Sequence, residues 1–552
     1  MRHIILSIFI LPFYLGLNAQ ELATEKATDT IPEGISVDEV QVVKAFEANL
    51  KKARNYDVKP EIPTIPVTHP NYKYKLTLTP IKIDYPEPQL RPLAMKPDDT
   101  FDVNRFYAKL GYGTIQNPWV DISYSDVQKE SHYFGIGAHY DAADQSKKYL
   151  YKKHQNLGLG LSGGLMALGE NMLYLDMGVE QKKRFYYQGP SWQDSIFSEE
   201  SSKRNINAFN LNLGLKNNSK EMLQTSYALN LSFNKTKASN PEISGTTIGL
   251  AGELNHGINR NLQLGIDINA GFEESNFGRT TDDLFSFDIT PNIVFTNKKI
   301  NISGGVFIAK DSDKSKIFPK INGLVNLKNG LVNIIFGTDA KRHSNNISNL
   351  LKSNPWVGSS SDSLYNNYTE DIYAGFRGAN SYLQYELRMG FKKITNYYYF
   401  INDPNDFRQF SLLHEPKLRS NYFDVYVDIA LTDVIHVGGN LDLNFMKSTI
   451  VDKPLHISEN HITTFALIKL YNEKLLIKPF FIVKTAPYYR DLLGNILQNR
   501  RQAELNLELN YNFSENFGVY LSSMNILDKD YEDYYNYSNY GINFAGGLMV
   551  KF

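Results

Sequence analysis

The chain contains no cysteine. That excludes a disulfide framework, thiol catalysis, a thiolate metal site and a lipid anchor on an N-terminal cysteine. Tryptophan is scarce, at 3 residues against 36 tyrosines and 32 phenylalanines. Any aromatic belt therefore has to be made of Tyr and Phe. Net charge is nearly absent, since 58 Lys and Arg face 59 Asp and Glu. Phosphate binding wants a basic face, so no nucleic-acid partner is expected. Past the first residues, no stretch approaches the roughly 18 to 20 apolar residues that a transmembrane helix needs.

What is present begins with "MRHIILSIFILPFYLGLNAQE". Arg2, an apolar run from Ile4 to Leu17 and the small Ala19 read as a secretory signal, residues 1–19, cut after Ala19. Residues 20–101 follow, and nine prolines fall between Pro60 and Pro97. Proline lacks the amide donor that helices and ladders need, so this segment is expected to be extended and loosely packed, in the periplasm or the lumen.

From about 102 to 552 the pattern changes to a two-residue beat. Ala503, Leu505, Leu507, Leu509, Tyr511 and Phe513 share one face of a strand; Glu504, Asn506, Glu508, Asn510 and Asn512 share the other. A soluble sandwich also alternates. The candidate strands here, however, are longer than the usual 5 to 6 residues, and their connections alternate in length. Short turns fall at 259–260, 296–299, 328–330, 432–434, 472–474 and 514–516. Long connections fall at 188–203, 339–379, 449–459, 487–499 and 527–539. Short turns on one rim and long loops on the other are the habit of outer-membrane barrels. The expected fold is all-β: a transmembrane antiparallel β-barrel of about 22 strands, apolar toward lipid and polar toward the lumen. Strands are expected to start near 380 and 393, and "FRQFSLLHEPKLRSNYFDVYVDIAL" is expected to be one long bent strand despite Pro416. The beat assigns Asp267, Glu386, Arg388, Asp424, Asp428, Asp442, Glu504 and Glu508 to the lumen.

Little here suggests chemistry. "GLGLSG", Gly158 to Gly163, matches a dinucleotide-loop pattern, but its glycines alternate with leucines as in a strand. "DSDKS", Asp311 to Ser315, lacks the glycine and glutamate of a calcium loop and reads as an outer loop. The histidines show no metal-ligand spacing, and His436 falls on a lumen face. No enzyme, cofactor or metal is expected.

Three stretches carry a family resemblance: "YLQYELRMGFKKITNYYYFIND", "FGVYLSSMNILDKDYEDYY" and "GINFAGGLMVKF". They resemble the late strands of TonB-dependent outer-membrane receptors, in the form found in Bacteroidota. The resemblance implies a 22-strand barrel in the Gram-negative outer membrane that imports a large, scarce nutrient. "VDEVQVV", comprising Val37, Asp38, Glu39, Val40, Gln41, Val42 and Val43, is similar to that family's TonB box and implies TonB as a partner. Residues 20–101 are shorter than the family's plug and show no plug-like alternation. The barrel is therefore expected to be stopped by that segment, by a periplasmic or lipoprotein partner, or by its own loops. The last strand, with Tyr540, Ile542, Phe544, Leu548, Val550 and Phe552 toward lipid, resembles the signal read by barrel-assembly machinery. A gated conduit, a non-transporting scaffold barrel and a general porin all fit this sequence, and its substrate is not legible.

Overall fold

A computed structural model describes residues 104–552, apart from 130, 168–169, 188–197, 218–222, 279–280, 312–314, 329, 359–363 and 492. The leader, the proline-rich segment and the TonB-box-like residues Val37 to Val43 lie outside the described residues.

The described chain forms a closed antiparallel sheet of 22 strands. Each strand pairs with its sequence neighbour. The sheet closes where β1 (Phe106–Gly113) meets the last strand, β26 (Asn543–Lys551). Tyr107 lies opposite Lys551 and Gly113 opposite Ala545. Phe106 and Phe552 exchange backbone hydrogen bonds of 2.8 and 2.9 Å just beyond the ladder. Two small hairpins stand outside the wall, β20 (Tyr488–Arg490) with β21 (Ile496–Gln498) and β24 (Glu532–Tyr534) with β25 (Tyr537–Ser538).

Side-chain alternation sets the two faces. On β22 (Gln502–Asn512), Asn506 and Asn510 are buried within the barrel, while Tyr511 beside them is exposed. On β15 (Leu383–Asn402) the outer set is Leu383, Tyr385, Leu387, Met389 and Phe391, followed by Lys393 and Thr395. The outer apolar stretch thus covers Leu383 to Phe391, which matches the roughly 9 to 11 residues that a tilted strand needs to cross hydrocarbon. Everything above Lys393 on β15, and above Arg419 opposite it on β16 (Phe410–Ala430), projects beyond that band. Pro416 does sit inside one 21-residue strand. Its missing amide is absorbed opposite Asn396, whose φ is +60° and which interrupts the pairing of Thr395 with Lys417 and Tyr397 with Glu415.

Two expectations need correction. Residues 339–379 are not one connection. β13 (Asn333–His343) extends into them, and β14 (Asn367–Ala379) occupies their end; 380–382 is a turn and β15 starts at Leu383, not near 393. In addition, Tyr540 and Ile542 do not belong to the final strand. Asp528 Oδ1 accepts the Ile542 amide at 2.9 Å and Asn539 Oδ1 accepts the Tyr540 amide at 2.8 Å, so the chain is held in a loop until Asn543. Phe544, Leu548 and Phe552 are exposed on the outer face.

"GLGLSG" runs within β4 (Lys153–Met166). The pair Gly546–Gly547 has a steric reason. Gly547 faces Gly111 across the closing seam, and a Cβ on Gly547 would fall 1.8 Å from the carbonyl oxygen of Leu110. The Tyr520 ring covers Gly111 from β23 (Phe517–Met524), with the Lys109 ammonium 4.1 Å from its centroid. Replacing Gly547 by valine should strain this seam by about 1–3 kcal/mol. The expected result is a lower unfolding temperature in detergent, read from heat-modifiable gel migration; unchanged migration would refute the steric account.

Candidate functional site

The outer rim does not end as a plain ring of strands. The ladder between β12 (Ser315–Asn326) and β13 stops at Ile321 opposite Thr338, although both strands continue upward. Above that point β13 stays paired only with β14. The outer set of this edge, Ala340 and Arg342 with Tyr368 opposite, then packs against the inner faces of β10 (Thr281–Thr296) and β11 (Ile300–Asp311). Ala340 and Tyr368 cluster with Phe307 and Ala309. The Arg342 guanidinium donates from Nε to Asp288 Oδ2 at 2.9 Å and from Nη1 to Ser286. The β13–β14 edge is therefore tucked inside the wall.

From the end of this edge, residues 344–358 and 364–366 form a strap. It carries one short helix, α2 (Ile347–Ser353); the other helix in the described residues, α1 (Glu199–Ser202), precedes β6 (Lys203–Asn217). Asn346 caps α2 by accepting the Asn349 amide at 2.9 Å. Two turns of helix are not stable alone, so packing must hold them. Ile347 is fully buried and presses on Gly245 of β8 (Ile243–Asn259), and Asn346 Nδ2 donates to Thr247 at 3.2 Å. Farther along, Trp356 donates from Nε1 to the Phe185 carbonyl at 3.4 Å, at the end of β5 (Asn171–Phe185). Trp356 also stacks on Tyr537 with centroids 3.8 Å apart. Val357 bridges Phe410, with the Phe410 amide donating to Trp356 O at 3.0 Å and the Gly358 amide donating to Phe410 O at 2.8 Å.

These contacts build one apolar cluster around the strap. It joins Tyr186 and Tyr187 after β5, Phe277 after β9 (Leu262–Asn276), Leu350, Leu351 and Leu364 of the strap, Tyr398 and Phe400 of β15, and Tyr537 before β26. Aromatic side chains suit this task, because each buries a large area with few rotatable bonds. Tyrosine hydroxyls at the cluster margin find backbone partners. Tyr187 donates to Ser538 O at 2.6 Å, Tyr534 to Ser353 O at 2.7 Å and Tyr537 to Arg408 O at 2.5 Å.

Two buried charges fasten the surrounding loops. The Lys152 ammonium donates to Ser538 Oγ at 3.2 Å and Asn539 O at 2.5 Å, among the rings of Tyr149, Tyr187 and Tyr540. Burial, reinforced by Lys148, pulls its pKa down to about 8. Glu415, fully buried near the top of β16, accepts the amides of Lys417 at 2.9 Å and Thr449 at 3.0 Å and the hydroxyls of Ser448 and Thr449. Burial alone would raise its pKa; those hydroxyls and amides outweigh it and hold the carboxyl below its usual range.

The sequence-selected charges are distributed over the inner set. Asp424 lies opposite both Arg388 and Asp442, which brings these three together. The Arg388 guanidinium stacks 3.8 Å from the Tyr373 ring, and Asp442 meets His461 at 3.2 Å. Glu386 is opposite Arg377, Asp428 accepts the Tyr426 hydroxyl at 3.4 Å, and Asp267 is opposite Glu253. Glu508 accepts Asn510 Nδ2 at 3.0 Å. Glu504 alone among them reaches the cap, taking the Tyr531 hydroxyl and Asn539 Nδ2. His436 sits opposite Ala430 and Leu467. Among the described residues no group of three His, Asp or Glu side chains is arranged to hold a metal ion.

No family model and no curated protein sequence matches this chain. Solved structures do. The FrpB iron transporter from Neisseria meningitidis superposes with a TM-score of 0.64 at 11% identity, covering 82% of each chain. The siderophore receptor PirA from Acinetobacter baumannii gives 0.63 at 11% identity, over 81% of this chain and 80% of that one. The ferripyoverdine receptor of the Pseudomonas aeruginosa outer membrane, bound to ferripyoverdine, gives 0.60 at 11% identity, over 83% and 72%. At such identity the likeness establishes the fold.

The Glu415 site predicts a pH dependence. A carboxyl with a lowered folded pKa contributes stability above its unfolded pKa of about 4.3 and loses it as pH falls through the folded value. Glu415→Gln should weaken the 448–459 loop by about 1–3 kcal/mol at pH 7. Limited proteolysis of that loop should be faster in the variant at pH 7, with the difference from wild type vanishing on acidification. Equal cleavage at pH 7 would contradict the assignment.

Proposed function

We propose that this chain is an outer-membrane barrel of the TonB-dependent-receptor type that works as a gated conduit, closed at its outer mouth by its own loops. The observation that carries the reading is the strap, tied at once through Asn346, Trp356 and Gly358 to β5, β8, β16 and the loop before β26. A porin keeps its lumen wet and open, and a scaffold barrel has no need of a buried aromatic cluster across its loops. The named iron transporter and siderophore receptors support a transport role for a barrel of this shape. For this chain the cargo is a scarce nutrient too large for simple diffusion through a porin. TonB engages Val37 to Val43 and supplies the work of opening; barrel-assembly machinery inserts the chain through the strand ending at Phe552. The reaction is movement of a solute, with no bond made or broken.

Two measurements test this. In planar bilayers the wild-type barrel should pass little current. Trp356→Ala, which removes the stacked ring and costs the cluster about 3–5 kcal/mol, should produce flickering openings. Replacing residues 346–364 by a short Gly-Ser turn in a chain lacking residues 20–101 should give a large steady pore. Steady wild-type conductance would identify a porin, and silence of the doubly shortened chain would identify a scaffold. Separately, changing Val40 and Val42 to proline should abolish capture by a TonB C-terminal domain; undiminished capture would remove TonB from the proposal.

A further inference from the structure

At the top of β6 stands a buried guanidinium without a hydrogen-bonded counter-charge among the described residues. Arg204 alternates with the outer residues Phe209, Leu211 and Leu213 and so belongs to the inner set. It is fully buried. Its Nη1 donates to the Tyr186 hydroxyl at 2.6 Å and to the Asn240 carbonyl at 3.3 Å. Both partners are neutral. Its Nε and Nη2 have no hydrogen-bond partner among the described residues. A buried cation held only by neutral acceptors is costly, and two unmet donors add to that cost.

Two further guanidiniums stand close by. Directly across the ladder from Arg204 is Arg184. Its Nη1 donates to Asn156 Oδ1 at 2.7 Å, again a neutral acceptor, while the Asp141 carboxylate within electrostatic reach is bonded to Asn156 and His154. On the Tyr186 ring lies a third guanidinium, Arg408, 5.2 Å from the centroid. Arg408 is already held by Asp406 in a two-point fork of 2.8 and 2.7 Å. Tyr186 is thus gripped by two guanidiniums, one through its hydroxyl and one through its face, and the carboxylate beside them is taken. A structural role as a hydrogen-bond donor to Tyr186 and Asn240 would be met by a neutral side chain. It does not account for a fixed charge with Nε and Nη2 free, the pair of donors that forks onto an oxyanion.

We propose that Arg204, flanked by Arg184, is an oxyanion-recognition site, and that the solute this barrel admits carries a carboxylate or phosphate group which docks there when the strap lifts. This rests on the conduit reading above and adds the chemistry of the cargo to it. The strap, through Trp356 bonded to the Phe185 carbonyl, and the 403–409 loop, through Arg408 over the Tyr186 ring, lie against the residues beside the site, so docking and opening are coupled: an anion that satisfies Arg204 favours the state in which it can be reached.

The test is calorimetry on the full chain in detergent, with citrate and inorganic phosphate as probes and raffinose as a neutral control. Trp356→Ala supplies a loosened cap. At least one anionic probe should bind, more tightly to Trp356→Ala than to wild type, and raffinose should not. Arg204→Gln in the Trp356→Ala background should weaken that binding at least about tenfold. Arg204→Lys, which keeps the charge and loses the fork, should fall between; it carries the test if the Gln variant does not fold by heat-modifiable migration. Arg260→Gln, at a turn on the opposite rim, should bind as its parent does. Failure of both anions to bind either parent, or equal binding by folded Arg204 variants, would overturn the proposal. Bilayer current reports the gate and calorimetry reports the anion, so the two readings can fail separately.

Discussion

Every other feature of this molecule depends on one requirement: in hydrocarbon no backbone amide or carbonyl can go unpaired. The chain meets it by returning its last strand to its first. That seam is crowded, and the crowding explains its sequence. Gly111 and Gly547 face one another because the Leu110 carbonyl leaves no room for a Cβ on Gly547 and the Tyr520 ring fills the space that a side chain on Gly111 would need. Closure also frees the outer connections from any duty to hold the wall together, so they can be spent on the mouth.

Wall and cap are stabilised in different ways. The wall is held by ladder hydrogen bonds that repeat along 22 strands and are insensitive to side-chain identity. The cap is held by a cluster in which residues far apart in sequence, such as Tyr187, Trp356 and Tyr537, depend on each other's position. Cooperative packing of that kind has two arrangements, made or unmade, and so suits the gate proposed above. Around it the polar ties are local. Lys152 anchors one loop to the chain just before Tyr540, and Glu415 anchors another to β16. Losing either would loosen the rim without opening the wall.

The wall was legible in the sequence because a strand crossing lipid writes its two faces directly into a two-residue beat. The beat fades where strands leave the bilayer, since both faces are then wet. β14 hides in the sequence for that reason: in "NYTEDIYAGFRGA" the outer set begins with Tyr368 and Glu370, and only Ile372, Ala374 and Phe376 continue it as apolar residues. Tyr540 and Ile542 fit the beat of the strand after them, whereas Asn539 and Asp528 hold them in the loop. The strap had one readable sign, Asn346 before "ISNLLKS", an N-cap ahead of a short apolar helix. The cap itself had none. The abundance of tyrosine in the sequence points no further than to the material of an aromatic belt, and nothing in the order of residues says that Tyr186, Tyr398 and Tyr537 converge. Arg204 was equally silent, because an arginine is conspicuous only once its burial and partners are known.

The tucked edge of β13 and β14 gives the rim a property that a fully zipped barrel lacks. A ring of strands joined by hydrogen bonds all the way round has a fixed girth, and widening it means breaking ladder bonds in hydrocarbon. Above Ile321 and Thr338 this wall is a lapped joint instead, one edge lying inside the other. Sliding that lap breaks side-chain contacts, chiefly those of Arg342 with Asp288 and of Tyr368 with Phe307 and Ala309, and leaves the ladders on either side whole. A change of girth in the upper collar along this lap would therefore leave the ladders of the membrane-crossing part below intact.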